Sequence, residues 1–169
     1  MLLRRALAAV LLAAALLAGC GVDDDRGPQT KEGFIAAADN VCQDLFSEFA
    51  QAGEGQPSTP AGVAAANKDL AETYAKLVER LEDVRLPDEA RARRGAAAFV
   101  RSVRAAEPLL DRLRTASTRF VDAAQKKDRG AITKAGSDVR TQLDAFRSAR
   151  ADSDRLAISY GLNFCGNLG

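Results

Sequence analysis

Apolar residues recur every three or four positions along most of the chain after residue 30, which is the spacing of one face of an α-helix. The pattern breaks at three places: Gly53 to Thr59, Leu86-Pro87 and Lys126 to Gly130. No useful length of the chain alternates apolar and polar residues in the way that predicts a half-buried strand. The pattern therefore predicts an all-α fold of four amphipathic helices joined by short loops.

The first two helices are predicted from Lys31 to Ala52 and from Pro60 to the residues before Leu86. Thr30 and Thr59 stand where N-caps are needed, and Pro60 takes the first helical position, where its missing N–H does no harm. The first helix carries the apolar stripe Phe34, Ala38, Val41, Cys42, Leu45, Phe46 and Phe49. The second repeats an apolar residue at every seventh position, Val63, Leu70, Leu77 and Val84, flanked by Ala66, Tyr74 and Leu81.

The third helix is predicted from Pro87 to about Gln125, and the fourth from its N-cap Asp128 to its C-cap Gly161. Pro108 lies inside the third helix, where it removes a backbone hydrogen bond, so we expect one kinked helix. The two stripes are Phe99, Val103, Ala106, Leu110, Leu113, Phe120 and Ala124, then Ile132, Ala135, Val139, Leu143, Phe146, Ala149, Leu156 and Tyr160. Short loops favour antiparallel neighbours, which predicts an up-down-up-down four-helix bundle.

Residues 1–19 have the organisation of a signal peptide. Arg4 and Arg5 precede an apolar run, Ala6 to Ala18, which spans roughly 20 Å as a helix and is too short for the ~30 Å hydrocarbon core. The run leads into Leu17-Ala18-Gly19-Cys20, which looks like the bacterial lipobox, whose cysteine sulfur takes a diacylglyceryl group. We therefore expect Cys20 to be lipidated at the outer face of the cell membrane. The alternative is an ordinary secreted protein with a chance cysteine.

A polar tether is predicted to follow the anchor, over residues 20–30, with the helical bundle domain over residues 31–169. Gly21 to Gln29 contains three consecutive aspartates, a glycine and a proline, which is typical of a flexible linker. Nine extended residues reach at most about 30 Å. The domain is therefore expected to stay close to the bilayer.

Cys42 and Cys165 are the cysteines that remain once Cys20 is lipidated, and the predicted export places them where disulfides form. The start of the first helix and the end of the fourth lie at the same end of the predicted bundle, so we expect a Cys42–Cys165 disulfide. The alternative is a free thiol pair with redox or metal chemistry, although two thiolates without histidine make a poor zinc site.

The two segments around these cysteines carry short motifs. Phe34-Ile35-Ala36-Ala37-Ala38-Asp39-Asn40-Val41-Cys42 contains Ala-Asp-x-x-Cys, and Tyr160-Gly161-Leu162-Asn163-Phe164-Cys165-Gly166 reads Tyr-Gly-Leu-x-x-Cys-Gly. This layout resembles a recurring pattern in small actinobacterial lipoproteins and secreted helical proteins. The resemblance implies an extracytoplasmic location and supports the disulfide, but it assigns no catalytic or binding residue.

Asp39 is a candidate for holding the C-terminal tail. It lies three residues before Cys42, so both side chains share a helix face. If the tail docks there, the Asp39 carboxylate could accept hydrogen bonds from backbone N–H groups between Gly161 and Gly166. The alternative is a solvated aspartate in a first helix.

Charge and composition narrow the function classes. The chain has 24 basic and 23 acidic side chains and no histidine. Removing Arg4 and Arg5 leaves 22 basic against 23 acidic side chains, a net charge of −1, which argues against a nucleic-acid binder. Histidine is the usual catalytic base and the commonest metal ligand. We therefore expect no enzyme, no metal and no cofactor.

The predicted topology leaves two places for a binding function. Lys126, Lys127 and Arg129 make the distal turn locally basic, so this tip could meet an acidic partner or a cell-wall polymer, or be a solvated turn. A pocket lined by Phe99, Phe120, Phe146 and Tyr74 would instead indicate a carrier that holds a small ligand or lipid in the bundle interior. We expect a binding or scaffold module of the cell envelope, with an envelope protein among its possible partners, and the carrier as the alternative.

Overall fold

The computed structural model describes residue 27, residues 29–53 and residues 58–167. These residues form four α-helices and a final 3₁₀ turn: α1 (Lys31–Gly53), α2 (Pro60–Glu82), α3 (Ala90–Gln125), α4 (Arg129–Tyr160) and the turn Cys165–Asn167. This part of the chain holds no β-strand, so the all-helical prediction is confirmed. The predicted signal peptide, Cys20 and most of the tether lie outside the described residues.

Local capping signals place most of the helix ends. The predicted N-caps Thr30, Thr59 and Asp128 each accept a side-chain hydrogen bond from the backbone N–H three residues later, at 3.0 to 3.1 Å. Gly161 ends α4 in the left-handed conformation, with a φ of 107° that most other residues adopt only with strain. These bonds satisfy N–H and C=O groups that have no partner within the helix.

The start of α3 differs from the prediction, because the helix begins at Ala90 and not at Pro87. Glu89 is the N-cap, and its carboxylate accepts from the backbone N–H groups of Arg91 and Ala92 at 2.8 and 2.6 Å. Pro87 instead lies fully buried in the connection. Asp88 exchanges two hydrogen bonds with Gln29, which ties this connection to the segment before α1.

The core forms on the helix faces that the apolar spacing predicts. It includes large side chains from each helix, among them Phe34, Leu45, Tyr74, Leu81, Phe99, Leu110, Leu113 and Phe146. Pro108 lies within α3, which continues through it as one helix from Ala90 to Gln125. None of the helices in the described residues is long and apolar enough to cross a membrane.

The predicted burial of two residues in the apolar stripes is wrong. Phe46 is 51% exposed and Leu156 is 38% exposed. Phe46 lies about 100° around the helix from Leu45, which is buried, so the buried stripe of α1 is narrower than predicted. On α4 the small residues Ser153 and Ala157 face the core, and Leu156 falls to one side of them.

The C-terminal segment joins α1 to α4. Among the described residues, no Cα atom of α1 comes within 8 Å of a Cα atom of α4, whereas the turn at Cys165–Asn167 lies close to both helices. The segment 161–167 thus fills the seam between the first and last helices. The way this segment is attached to α1 therefore determines which of its side chains are exposed between α1 and α4.

Candidate functional site

A disulfide fixes the C-terminal segment to α1. Cys42 and Cys165 are bonded with an S–S distance of 2.01 Å and a Cα–Cα distance of 5.2 Å, as predicted. The two residues are 123 positions apart in sequence, so the bond joins the first helix to the end of the domain. Both cysteines are buried, and the Cys165 sulfur also lies 3.3 Å from the Ala38 carbonyl oxygen.

The Asp39 carboxylate provides a second attachment. Its Oδ2 accepts from the Asn163 N–H at 2.9 Å, and its Oδ1 accepts from the N–H groups of Phe164 and Cys165 at 2.9 and 3.1 Å. Asp39 is only 8% exposed, and a buried carboxylate needs such partners to offset its loss of water. The hypothesis that Asp39 receives the tail is therefore confirmed. We call Asp39, the disulfide and residues 161–167 the C-terminal clamp.

Tyr160 connects the clamp to the start of α3. Its hydroxyl donates to the Ala92 carbonyl at 3.0 Å, and its ring meets Phe34 edge-on with centroids 5.7 Å apart. Gly95 makes room for the ring, because a Cβ at that position would lie 2.6 Å from two ring carbons. Tyr160 is thus a packing residue at the junction of three helices.

The clamp holds Phe164 beside Phe46 on the surface of the molecule. A groove of about 440 Å³ is lined by Gln43, Phe46, Asn163, Phe164 and Asn167. Phe164 is 48% exposed, close to the exposure of Phe46. Its backbone cannot shift freely, because its own N–H and those of both neighbours are bonded to Asp39.

The C-terminal segment brings no charged side chain to this side of the molecule. Residues 156–169 contain no charged side chain, in a chain in which 28% of residues are charged. The nearby acids of α1 are engaged elsewhere, since Asp44 pairs with Arg80 and Glu48 pairs with Lys76, both at 2.7 Å. Ile158, which is 57% exposed, packs against Gly166. We call the surface formed by Gln43, Phe46, Ile158, Asn163, Phe164 and Asn167 the uncharged face.

The interior contains a small cavity beside the disulfide. Its volume is about 30 Å³, and its walls include Tyr74, Phe99 and Phe146, three of the four residues predicted for a carrier pocket. Phe120 is not among them, because it packs near Gly136. The cavity has room for about one water molecule, whereas sites for drug-sized ligands span roughly 300–1,000 Å³.

Polar groups line one wall of this cavity. Arg150 and Asp154 form an ion pair with 3.7 Å between Nε and Oδ2, and both remain partly exposed. Partial burial raises the pKa of Asp154, and the nearby Arg150 charge opposes that rise. Tyr74 donates from its hydroxyl to the Val103 carbonyl at 3.0 Å, and burial raises its pKa. Tyr74 is therefore a satisfied core residue, which leaves it no free hydroxyl proton for chemistry.

The basic tip lies in the turn between α3 and α4. Lys126, Lys127 and Arg129 are all exposed, and Lys127 has a φ of 55° in the left-handed region. Asp128 lies among them, but its carboxylate caps α4. All three predicted cations are therefore exposed to solvent at this turn.

Sequence reasoning missed most of the uncharged face. The apolar spacing predicts Phe46 in the core, and the C-terminal motif that contains Phe164 predicts no role for that residue. The sequence signal that could have indicated this surface is the uncharged run from residue 156 to residue 169.

No group of three or more possible metal ligands occurs among the described residues. The chain matches no family model, no curated protein and no solved structure.

Proposed function

We propose that the protein is a lipid-anchored, extracytoplasmic lipoprotein that acts as a binding or scaffold module of the cell envelope. The support for the anchor is the charged start, the short apolar run and the lipobox at Cys20. The resemblance to small actinobacterial lipoproteins points the same way. A module of this kind works by presenting a surface, and no catalytic chemistry enters the proposal.

The bundle is proposed to run up-down-up-down. Contacts between consecutive helices pair early residues of one with late residues of the next, which is the pattern of antiparallel packing. These pairs are Asp44–Arg80 and Glu48–Lys76, then Tyr74–Val103 and Asn67–Ser117, then Ala92–Tyr160 and Phe120–Gly136. A kink in α3 belongs to the same proposal, because Pro108 cannot donate to the Arg104 carbonyl.

This topology places the tether and the basic tip at opposite ends. The bonds between Gln29 and Asp88 fix the start of the domain beside the connection from α2 to α3. The turn at Lys126–Asp128 then lies at the other end, away from the bilayer. The uncharged face lies on the side of the bundle.

The observation that carries the binding proposal is a pair of half-exposed phenylalanines on a rigid, uncharged surface. Exposed aromatic residues that line a groove are typical of interaction sites. Three hydrogen bonds and a disulfide hold Phe164 in place, so a partner would lose little affinity in ordering it. The uncharged face is therefore the proposed partner-binding surface.

Lipidation and binding can be tested separately in the organism's own membranes. Labelled palmitate should enter the wild-type protein and should not enter Cys20→Ser; equal labelling of both would contradict the anchor. A photo-crosslinking amino acid in place of Phe46 or Phe164 should give a discrete adduct. The same amino acid at Thr118, which is exposed on α3, is the control, and adducts no stronger than that control would contradict the binding surface.

The basic tip is a second proposed contact, for an acidic partner or a cell-wall polymer. Its test is reversal of the charges at Lys126, Lys127 and Arg129, which should weaken retention of that partner. Unchanged retention would remove the tip from the proposal. The carrier alternative has less support, because a cavity of about 30 Å³ must open before any lipid can enter.

A further inference from the structure

The position of the uncharged face restricts what can reach it. Phe46 lies 16 residues after Thr30, which is about 24 Å along α1 at 1.5 Å per residue. The proposed tether precedes Thr30 in the sequence, whereas α1 follows it, and the tether extends at most about 30 Å. If the helices stand upright on the tether, the uncharged face points sideways, in a direction parallel to the plane of the bilayer. A sideways surface meets molecules that stand in the same membrane.

The lack of charge on the face suits contact with an identical surface. In a two-fold interface the same patch of each copy faces the other, so a patch of one charge sign would repel itself. Here the exposed groups are two phenyl rings, one isoleucine and the amides of Gln43, Asn163 and Asn167. An amide carries both donors and acceptors and can therefore pair with another amide.

A second groove in the described part of the chain lacks this property. This groove, between α3 and α4, is lined by Asp111, Arg112, Arg119 and Asp138. Such a surface could pair with itself only in a register that matches opposite charges. The uncharged face has no such requirement.

We propose that two copies of the protein associate side by side through the uncharged face, around a two-fold axis normal to the membrane. Such an axis keeps both tethers on the bilayer side, as two anchored chains require. Confinement to one membrane raises the effective concentration of each copy, so a modest contact area is sufficient. This inference rests on the proposed function and names a second copy as the partner.

Cysteine crosslinking of the full lipidated chain in membranes tests the inference. The native cysteines are engaged, Cys42 and Cys165 in the disulfide and Cys20 in the proposed anchor. Ala50→Cys adds an exposed thiol one helical turn beyond Phe46, and Ala105→Cys adds one on α3 as the matched alanine control. A short bismaleimide should give a product of twice the monomer mass for Ala50→Cys, at least ten-fold more than for Ala105→Cys. Adding Phe46→Ser should reduce that yield by at least five-fold.

Three results would overturn the inference. Equal dimer yields at the two positions would show random collision, and an adduct of any other mass would identify a different partner. Protection of the Ala50→Cys thiol from a water-soluble maleimide without any dimer would indicate burial in lipid. An adduct of another mass leaves the proposed binding surface intact and contradicts only the self-association. The absence of every adduct, here and in the photo-crosslinking test, would contradict both the binding surface and the self-association.

Discussion

Replacing Asp39 by asparagine should weaken the C-terminal clamp and lower the stability of the whole domain. The carboxylate accepts three backbone N–H bonds through two oxygens, but an asparagine offers a single acceptor oxygen. Its amide nitrogen would face N–H groups that also donate. At least one N–H that is partly or fully buried then loses its partner, and the remaining bonds lose the help of the negative charge.

The magnitude follows from those bonds. Hydrogen bonds to charged groups contribute roughly 1.5–3 kcal/mol each, and an unsatisfied buried donor costs about 1–3 kcal/mol. We therefore expect Asp39→Asn to lower the free energy of unfolding by roughly 2–4 kcal/mol. For a domain of this size, that is a fall in Tm of about 6–14 °C.

Thermal unfolding followed by circular dichroism, with the disulfide intact, measures the effect. Asp44→Asn is the matched control, because Asp44 lies on the same helix and forms an exposed ion pair with Arg80. Exposed pairs contribute about 0–1 kcal/mol, so this variant should melt within a few degrees of the wild type. Equal Tm values for Asp39→Asn and Asp44→Asn would refute the role assigned to Asp39.

Three further predictions concern the packing and capping of the clamp end. Gly95→Ala should destabilise the domain by about 1–3 kcal/mol in urea unfolding, because the new methyl group would overlap the Tyr160 ring; a neutral effect would contradict the close approach. The paired change Cys42→Ser and Cys165→Ser should lower stability by up to roughly 5 kcal/mol, measured against the oxidised protein, since the disulfide closes a long loop. Hydrogen bonds from the N–H groups of Arg91 and Ala92 lower the pKa of Glu89 below its ordinary 4.5. The resulting stabilisation is present above pH 4.5 and is lost as the pH falls through the lowered value, so Glu89→Gln should flatten this part of the stability profile.

Local signals in the sequence predict the helices well. Thr30, Thr59, Asp128 and Gly161 act through bonds to residues within five positions, so their roles can be read without knowing the tertiary structure. The Cys42–Cys165 bond and the Asp39 hydrogen bonds are distant in sequence. Both follow from the expectation that an even number of antiparallel helices returns the chain to its starting end.

The features that the sequence did not predict depend on lateral packing. Whether Phe46 is buried depends on how far the C-terminal segment reaches along α1, and periodicity holds no information on that distance. Pro87 looks like a first helical residue, but it is buried in the connection while Asp88 bonds to Gln29. The small volume left between Tyr74, Phe99 and Phe146 likewise depends on the fit of side chains from several helices.

In the function that we propose, the C-terminal clamp holds the binding surface in place. Photo-crosslinking from position 164 in native membranes, compared between the Asp39→Asn and Asp44→Asn backgrounds at a temperature where both remain folded, tests it most directly. We expect a discrete adduct in the Asp44→Asn background and its loss or marked weakening with Asp39→Asn. An adduct of equal yield in both backgrounds, or none in either, would contradict the claim.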